Sequence, residues 1–253
     1  MRGLSLSDPA FVGGLGGVWP FVGQETTLNP YSGNNATSNV PTAIIEEGDL
    51  LVAVHVQTYW ASGFANVTNS LATTGWTGRL TAAWAGSGRA TCVYWKIATA
   101  SEASTVWIRP RSGLYTYTRM GYTTVFVLRN TVTTNPIASG AISHGTASSQ
   151  GSPETVDITM PDNFGASVPY INLQVTAFAK INTSGGLPTS LVAPAASDEI
   201  FATEEVYTDL SLYRPSYQLI AAPSGPSETR THEAVGSVSN GLLYAAHIPV
   251  DLL

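Results

Sequence analysis

Charge is what this chain has least of. Of its 253 residues only 11% are Asp, Glu, Lys or Arg, and Lys96 and Lys180 are the only lysines. An average soluble protein carries about 25%, so the polar surface here must be built from Ser, Thr, Asn, Gln and Gly. That composition does not suit a helical cytosolic enzyme and suits a β-rich extracellular one. Eleven cations against seventeen acids give a net charge of −6. Nucleic-acid binding by counterion release needs clustered cations, and the only local cluster is Arg109, Arg111 and Arg119, so no nucleic acid is expected as a partner. A single cysteine, Cys92, excludes an internal disulfide; its setting in "RATCVYWKIA" marks it as a small core residue. A chain of this length buries roughly 70–75% of its unfolded surface and needs no disulfide. Long hydrophobic runs are missing too. Asp8-Pro9 and four glycines before Pro20 break the first apolar stretch, and no A-x-A site follows, so neither a signal peptide nor a membrane span is expected.

What is abundant is period-two alternation. In "DLLVAVHVQT" (49–58), Leu50, Val52, Val54 and Val56 share one face, and Leu51, Ala53, His55 and Gln57 the other. "ATCVYWKIA", "STVWIRP", "YTTVFVLR", "ETVDITM", "YINLQVTAFAK", "YTDLSLYRPSYQLIA" and "GLLYAAHIPV" follow the same rule, with turn residues such as "SGNN", "GSG", "RSG", "NTSGG" and "PSGP" between them. Many short strands so punctuated imply an all-β antiparallel sandwich of jelly-roll type. The pattern also repeats. "LLVAVHVQ" at Leu50 aligns with "INLQVTAF" at Ile171, "YWKIATASEAST" at Tyr94 with "YQLIAAPSGPSET" at Tyr217, and "GYTTVFVLR" at Gly121 with "GLLYAAHIP" at Gly241. The common offset of about 120 residues defines halves near 42–135 and 160–253. These are either two sandwiches or one sandwich with pseudo-twofold sheets. The second is expected, because each half alone has few strands to cover its apolar face. Residues 1–41 lack alternation and read as an arm leading into a domain at 42–253.

Motifs for chemistry are sparse. "GGLGG" lacks both the G-x-G-x-x-G spacing and the lysine of a phosphate loop. No G-x-S-x-G exists. The four histidines show no metal-ligand spacing: His55 and His247 read as strand residues, and His232-Glu233 as part of a polar strand or loop. No spacing pairs the acids in the manner of a glycosidase. The chain therefore reads as a non-enzyme with no cofactor and no metal. Aromatics are the better lead. Tyr59 and Trp60 in "QTYWASGF", and Arg109, Arg111, Tyr115, Tyr117 and Arg119 in "RPRSGLYTYTR", form the candidate contact set, because Tyr and Arg dominate interfaces and flat aromatic faces stack on sugar rings. Trp76 in "TTGWTGRL" reads as a core plug.

Gly48-Asp49-Leu50-Leu51, Gly75-Trp76, the aromatic strand and small-residue turn from Tyr94 to Thr105, and the strand closing on Val125 to Asn130 together resemble a domain family common in bacteriophage minor tail and other virion proteins, and found in some secreted bacterial proteins. The likeness covers roughly residues 42–250. It implies a β-sandwich used in assembly or attachment, in a tail-tip, fibre-associated or head-decoration protein located in the virion, and carries over no catalytic residue. Within that expectation the segment "FVGGLGGVWPFVGQ" finds a use. Phe11, Val12, Leu15, Val18, Trp19, Phe21 and Val22 each gain about 1.5–3 kcal/mol on burial, while glycine-rich backbone does not fold alone. The segment must dock, either on neighbouring virion proteins as an assembly arm or as a first strand of its own sandwich. A homo-oligomer and a host-surface glycan are further expected partners, the latter in the alternative reading as a carbohydrate-binding module.

Overall fold

The computed structural model describes residues 20–31, 36–59, 69–71, 75–76, 78–83, 90–110, 119–137, 142–148, 154–160, 169–180, 186–194, 199–200, 205–207, 211–220, 228–236 and 241–253. They form an all-β, antiparallel structure. The first set of strands is β1 (Phe21–Tyr31), β2 (Ala36–Asn39), β3 (Leu50–Tyr59), β4 (Asn69–Leu71), β5 (Gly78–Ala83), β6 (Ala90–Ile97), β7 (Thr105–Pro110) and β8 (Arg119–Leu128). The second is β9 (Ser143–Ser148), β10 (Glu154–Met160), β11 (Tyr170–Lys180), β12 (Ser190–Val192), β13 (Glu199–Ile200), β14 (Glu205–Tyr207), β15 (Ser211–Ile220), β16 (Glu228–Val235) and β17 (Gly241–Asp251).

The first set makes a large sheet in the order β1-β8-β3-β6-β5 and a small one in the order β2-β7-β4. The second set repeats this: β9-β17-β11-β15-β13, with β14 also on β15, and β10-β16-β12. Chain order and sheet order match strand for strand, and in each half consecutive strands mostly alternate between the two sheets, the pattern of a jelly roll. The protein is therefore two jelly rolls.

They are not separate. One hydrophobic cluster takes Leu50, Val52, Val54, Val56, Val93, Tyr122, Phe126 and Leu128 from the first large sheet, and Ile171, Leu173, Val175, Ala177, Tyr213, Tyr217, Tyr244, Ala246, Ile248 and Val250 from the second. The two large sheets thus pack face to face. A second core (Val40, Ala53, Cys92, Tyr94, Val125) lies on the other face of the first large sheet, and a third (Val156, Ile158, Phe178, Leu191, Leu212, Ala234, Leu243, Ala245) joins the second large sheet to β10 and β16. Four layers result: small, large, large, small. The expectation of one sandwich captured the central pair of sheets and missed the two outer ones. Central strands in such a stack have no wet face, which explains why β11 is buried along its whole length and why β3 reads as an almost unbroken apolar run.

Pairing register also corrects the repeat. Leu50 lies opposite Ile97 and Leu128, and Ile171 opposite Leu219 and Val250. On that register Trp95, not Tyr94, is equivalent to Tyr217, and Tyr122 is equivalent to Tyr244. Aligning Tyr94 with Tyr217 slips one residue and exchanges faces: Tyr94 belongs to the outer core, Tyr217 to the shared one.

Polar side chains bridge the shared interface. The rings of Tyr122 and Tyr213 stack at 4.9 Å. The Tyr122 hydroxyl lies 2.9 Å from Ser211 Oγ, and that of Tyr213 lies 2.8 Å from Thr124 Oγ1. Burial pushes the Tyr213 phenol well above its usual range, so it stays protonated and able to donate. Because one core serves both halves, unfolding is expected to be a single transition. Val54→Ala, which opens a cavity in the shared core, should lower the denaturation midpoint of the whole chain by the equivalent of about 1–3 kcal/mol. Two separate transitions in calorimetry would show that the halves unfold independently.

Candidate functional site

The strand ends decide where the predicted contact residues go. Tyr31 at the end of β1 lies opposite Arg119 at the start of β8, and Tyr59 at the end of β3 lies opposite Met120. Ala83 at the end of β5 and Gln57 both lie opposite Ala90 at the start of β6. Asn69 at the start of β4 lies opposite Pro110 at the end of β7, with Arg109 opposite Ser70. The connections 32–35, 60–68, 84–89 and 111–118 therefore all leave and rejoin the first jelly roll at one end. Tyr59, Arg109 and Arg119 occupy strand positions at that end, while Trp60, Arg111, Tyr115 and Tyr117 lie outside the described residues. Sequence reasoning did not foresee the convergence. It also missed that these four connections contain no Asp or Glu, and that Arg89 belongs to one of them. The acids Glu46, Glu47, Asp49 and Glu102 fall in the connections at the opposite end of the same jelly roll.

That opposite end is held by an ion cluster. Arg129, just past β8, donates from Nε to Asp49 Oδ1 at 2.7 Å and from an Nη to Asp49 Oδ2 at 2.9 Å, and approaches Glu46 at 3.1 Å. The Glu46 amide donates to Asp49 as well. Asp49 is buried, and the bidentate fork with its capped carboxylate offsets the cost of burial. Gly48 at φ +94° and Asn130 at φ +56° supply the left-handed turns on either side. The resembling stretches "GDLL" and "LRN" thus meet in space as one lock on the entry to β3 and the exit of β8.

Residues assigned to an arm divide. Phe11, Val12, Leu15, Val18 and Trp19 lie outside the described residues. Phe21 and Val22 do not serve an arm: they begin β1, an edge strand paired with β8 over its length. The Phe21 ring stacks on Tyr217 of the second jelly roll at 4.2 Å, and Val22 packs with Leu51 and Val127. The boundary drawn at residue 41 therefore falls inside the domain, because "QETTLN" is almost wholly polar and shows no apolar alternation.

Three histidines are fully buried. His55 on β3 meets Thr123 Oγ1 at 2.9 Å. His232 lies on β16, the strand rather than the loop of the two settings expected for it, and it faces inward between the sheets of the second jelly roll. Its Nδ1 lies 2.6 Å from Thr176 Oγ1 and its Nε2 lies 2.7 Å from Nε2 of His247, whose Nδ1 receives a hydrogen bond from Asn172 at 2.8 Å. With the amide donating, one assignment fits the chain. His247 donates from Nε2 to His232, and His232 donates from Nδ1 to Thr176. Each imidazole holds one proton and none can be added without placing two donors face to face. Burial lowers His55 and His232 to about 3; burial, then the charges of His232 and Arg230, lower His247 well below the usual value.

Among the described residues no group of three or more His, Cys, Asp or Glu is placed to hold a metal ion, and no helix is long and apolar enough to cross a membrane. No family model, curated protein or solved structure matches the chain.

The buried histidines make a prediction about pH. Their folded values lie below the unfolded value of 6.5, so the unfolded chain takes up protons first. Stability is intact above pH 6.5 and falls as the pH drops from there toward 3. Each histidine costs about 1.4 kcal/mol per pH unit below its unfolded value, so the three together cost roughly 4 kcal/mol per unit. Urea titrations at pH 7 and pH 5 measure this directly, and equal midpoints would contradict it.

Proposed function

We propose that the chain is a non-enzymatic structural component of a tailed-phage particle, a tail-tip, fibre-associated or head-decoration protein that works in assembly and presents one end to the outside. The observation that carries this reading is the welding of two jelly rolls through their large sheets. A block with a continuous core between its halves resists relative motion of its ends, which is what a part that holds neighbours at fixed spacing requires. Jelly rolls recur in capsid and lectin proteins, and the "GDLL", "GW" and "LRN" stretches that resemble virion domains serve here as the lock on β3 and β8 and the turn before β5.

The greasy segment before β1 is read as the attachment to neighbouring virion proteins, with a homo-oligomer as the assembled form. β1 sets the cut that tests it. A chain starting at residue 20 keeps β1 and should remain folded, yet lose co-sedimentation with particles. A chain starting at residue 32 removes β1, one of the two partners of β8, and the Phe21–Tyr217 stack, and should be markedly destabilised. Normal co-sedimentation of the chain that starts at residue 20 would refute the arm.

A second reading, a carbohydrate-binding module for cell-surface glycan, is favoured by one observation. The strand ends bring the connections holding Trp60, Tyr115, Tyr117, Arg89 and Arg111 to one end, next to Tyr59, Arg109 and Arg119, with no acid among them. Aromatic faces with arginines and no opposing carboxylate suit sugars bearing negative substituents. Tyr115→Ala with Tyr117→Ala should lower binding to host surface glycan at least tenfold, and Arg111→Ala should weaken it most at low salt. Binding unchanged in all three substitutions would exclude this end as the contact.

A further inference from the structure

The end of the first jelly roll that carries the ion lock also carries a pocket. It has a volume of about 190 Å³ and is lined by Val40, Leu51, Trp76, Lys96, Ser101, Glu102, Ala103 and Thr105. Two of the sequence stretches that resemble the virion family, Gly75-Trp76 and Tyr94 to Thr105, meet here. Neither contributes a side chain to the ion pairs between Asp49, Glu46 and Arg129. Gly75 takes φ +92°, and a Cβ on it would stand 3.5 Å from Lys96 Nζ, so the turn that delivers Trp76 sits directly against the ammonium.

The wall has two characters. Val40, Leu51 and the partly buried Trp76 are apolar and belong to the outer cores. Facing the same space is an ion pair with little exposure: Lys96 Nζ lies 2.7 Å from Glu102 Oε2, with side chains 12% and 6% exposed. Glu102 is fixed further by the amide of Thr99 at 2.7 Å and its hydroxyl at 2.9 Å. These bonds outweigh the effect of burial and hold the carboxyl below its usual range, so it is ionised at neutral pH. The pair is locally neutral, so it selects neither for an anion nor for a cation. It offers an ammonium with donors to spare beside a carboxylate with one acceptor position left on Oε2. A ligand that accepts and donates through adjacent oxygens, and has an apolar face for Trp76, completes both walls.

We propose that this pocket binds a single neutral sugar ring, with a vicinal diol across Lys96 and Glu102 and its C–H face toward Trp76. The proposal is independent of the end that carries Tyr115 and Tyr117, which lies across the jelly roll. Ser101 and Thr105 add hydroxyls at the mouth, and Ala103 is exposed there. The space, about 190 Å³, is of the size of one sugar ring.

The test is titration of the full chain with glucose, galactose and N-acetylglucosamine, followed by amide and indole resonances in two-dimensional NMR, with glucuronate and glycerol as comparisons. Saturable shifts at Trp76 and at residues 96–105 with at least one neutral sugar are expected, in the millimolar range or tighter. Glu102→Gln should weaken binding at least tenfold, since a hydrogen bond to a charged group is lost. Ala103→Phe places bulk at the mouth from an exposed position; it should abolish binding while leaving thermal stability unchanged. Tyr115→Ala with Tyr117→Ala should leave these shifts intact, which separates this site from the reading above. No saturable shift with any neutral sugar, equal shifts from glycerol, a preference for glucuronate, or undiminished binding by Ala103→Phe would each overturn the proposal.

Discussion

The constraint behind this structure is that the central strands of its two largest sheets have no face in water. Each large sheet turns one side to the other and its second side to a small sheet of its own jelly roll. Residues that would be solvated in an ordinary two-layer sandwich must here be apolar or hydrogen-bonded. The first large sheet meets the demand with Leu51, Ala53, Cys92, Tyr94 and Val125 on its outer side. The second does so differently. One part of its outer side is apolar, around Phe178, Leu212 and Leu243, and another is built from Asn172, Gln174, Thr176, Ser216 and His247, all fully buried.

The histidine chain follows from that polar patch. Bringing Thr176, Asn172 and His247 to one side of β11 and β17 creates polar groups that the small sheet above has to satisfy, and β16 supplies His232. His55 sits in the first jelly roll at the register position that Thr176 holds in the second, so each jelly roll places a neutral imidazole at a similar depth. The two solutions differ in partners and not in principle: a buried imidazole remains neutral because the charged form has no water, and each ring nitrogen finds a use. Acid sensitivity is then a consequence of the layer count, without any dedicated sensor.

Much of this was legible in the chain and some was not, for definable reasons. Period-two alternation identified the strands, because half-buried sheet residues must alternate. The duplication was visible in the long strands β3 and β11, where burial on both faces leaves little freedom in sequence. It blurred at β6 and β15, since both carry neighbouring aromatics and a slip of one residue leaves the pattern looking as good while reversing the faces. β1 escaped notice because its middle, Gln24 to Thr27, is polar without alternation; an edge strand, half-buried and backed by neighbours, can be polar. The polar strand that carries His232 was legible but its burial was not, because the groups that justify that burial lie 15 and 56 residues away in sequence. The candidate contact set was found by residue type alone, and only the pairing of strand ends joins the stretch after Tyr59 to the stretch before Arg119.

The scarcity of charge acquires a meaning in this architecture. A four-layer stack with long buried strands leaves few places where a charged side chain can reach water: the outer faces of the small sheets and the connections at the ends. In the first jelly roll the connections divide the charges by sign. At one end Asp49 and Glu46 engage Arg129 and Glu102 engages Lys96, where they lock strands and line the pocket, while the sequences of the connections at the other end contain arginines and no acid. The Lys96–Glu102 pair at the first end is neutral and ordered, and the shared core fixes the first jelly roll against the second.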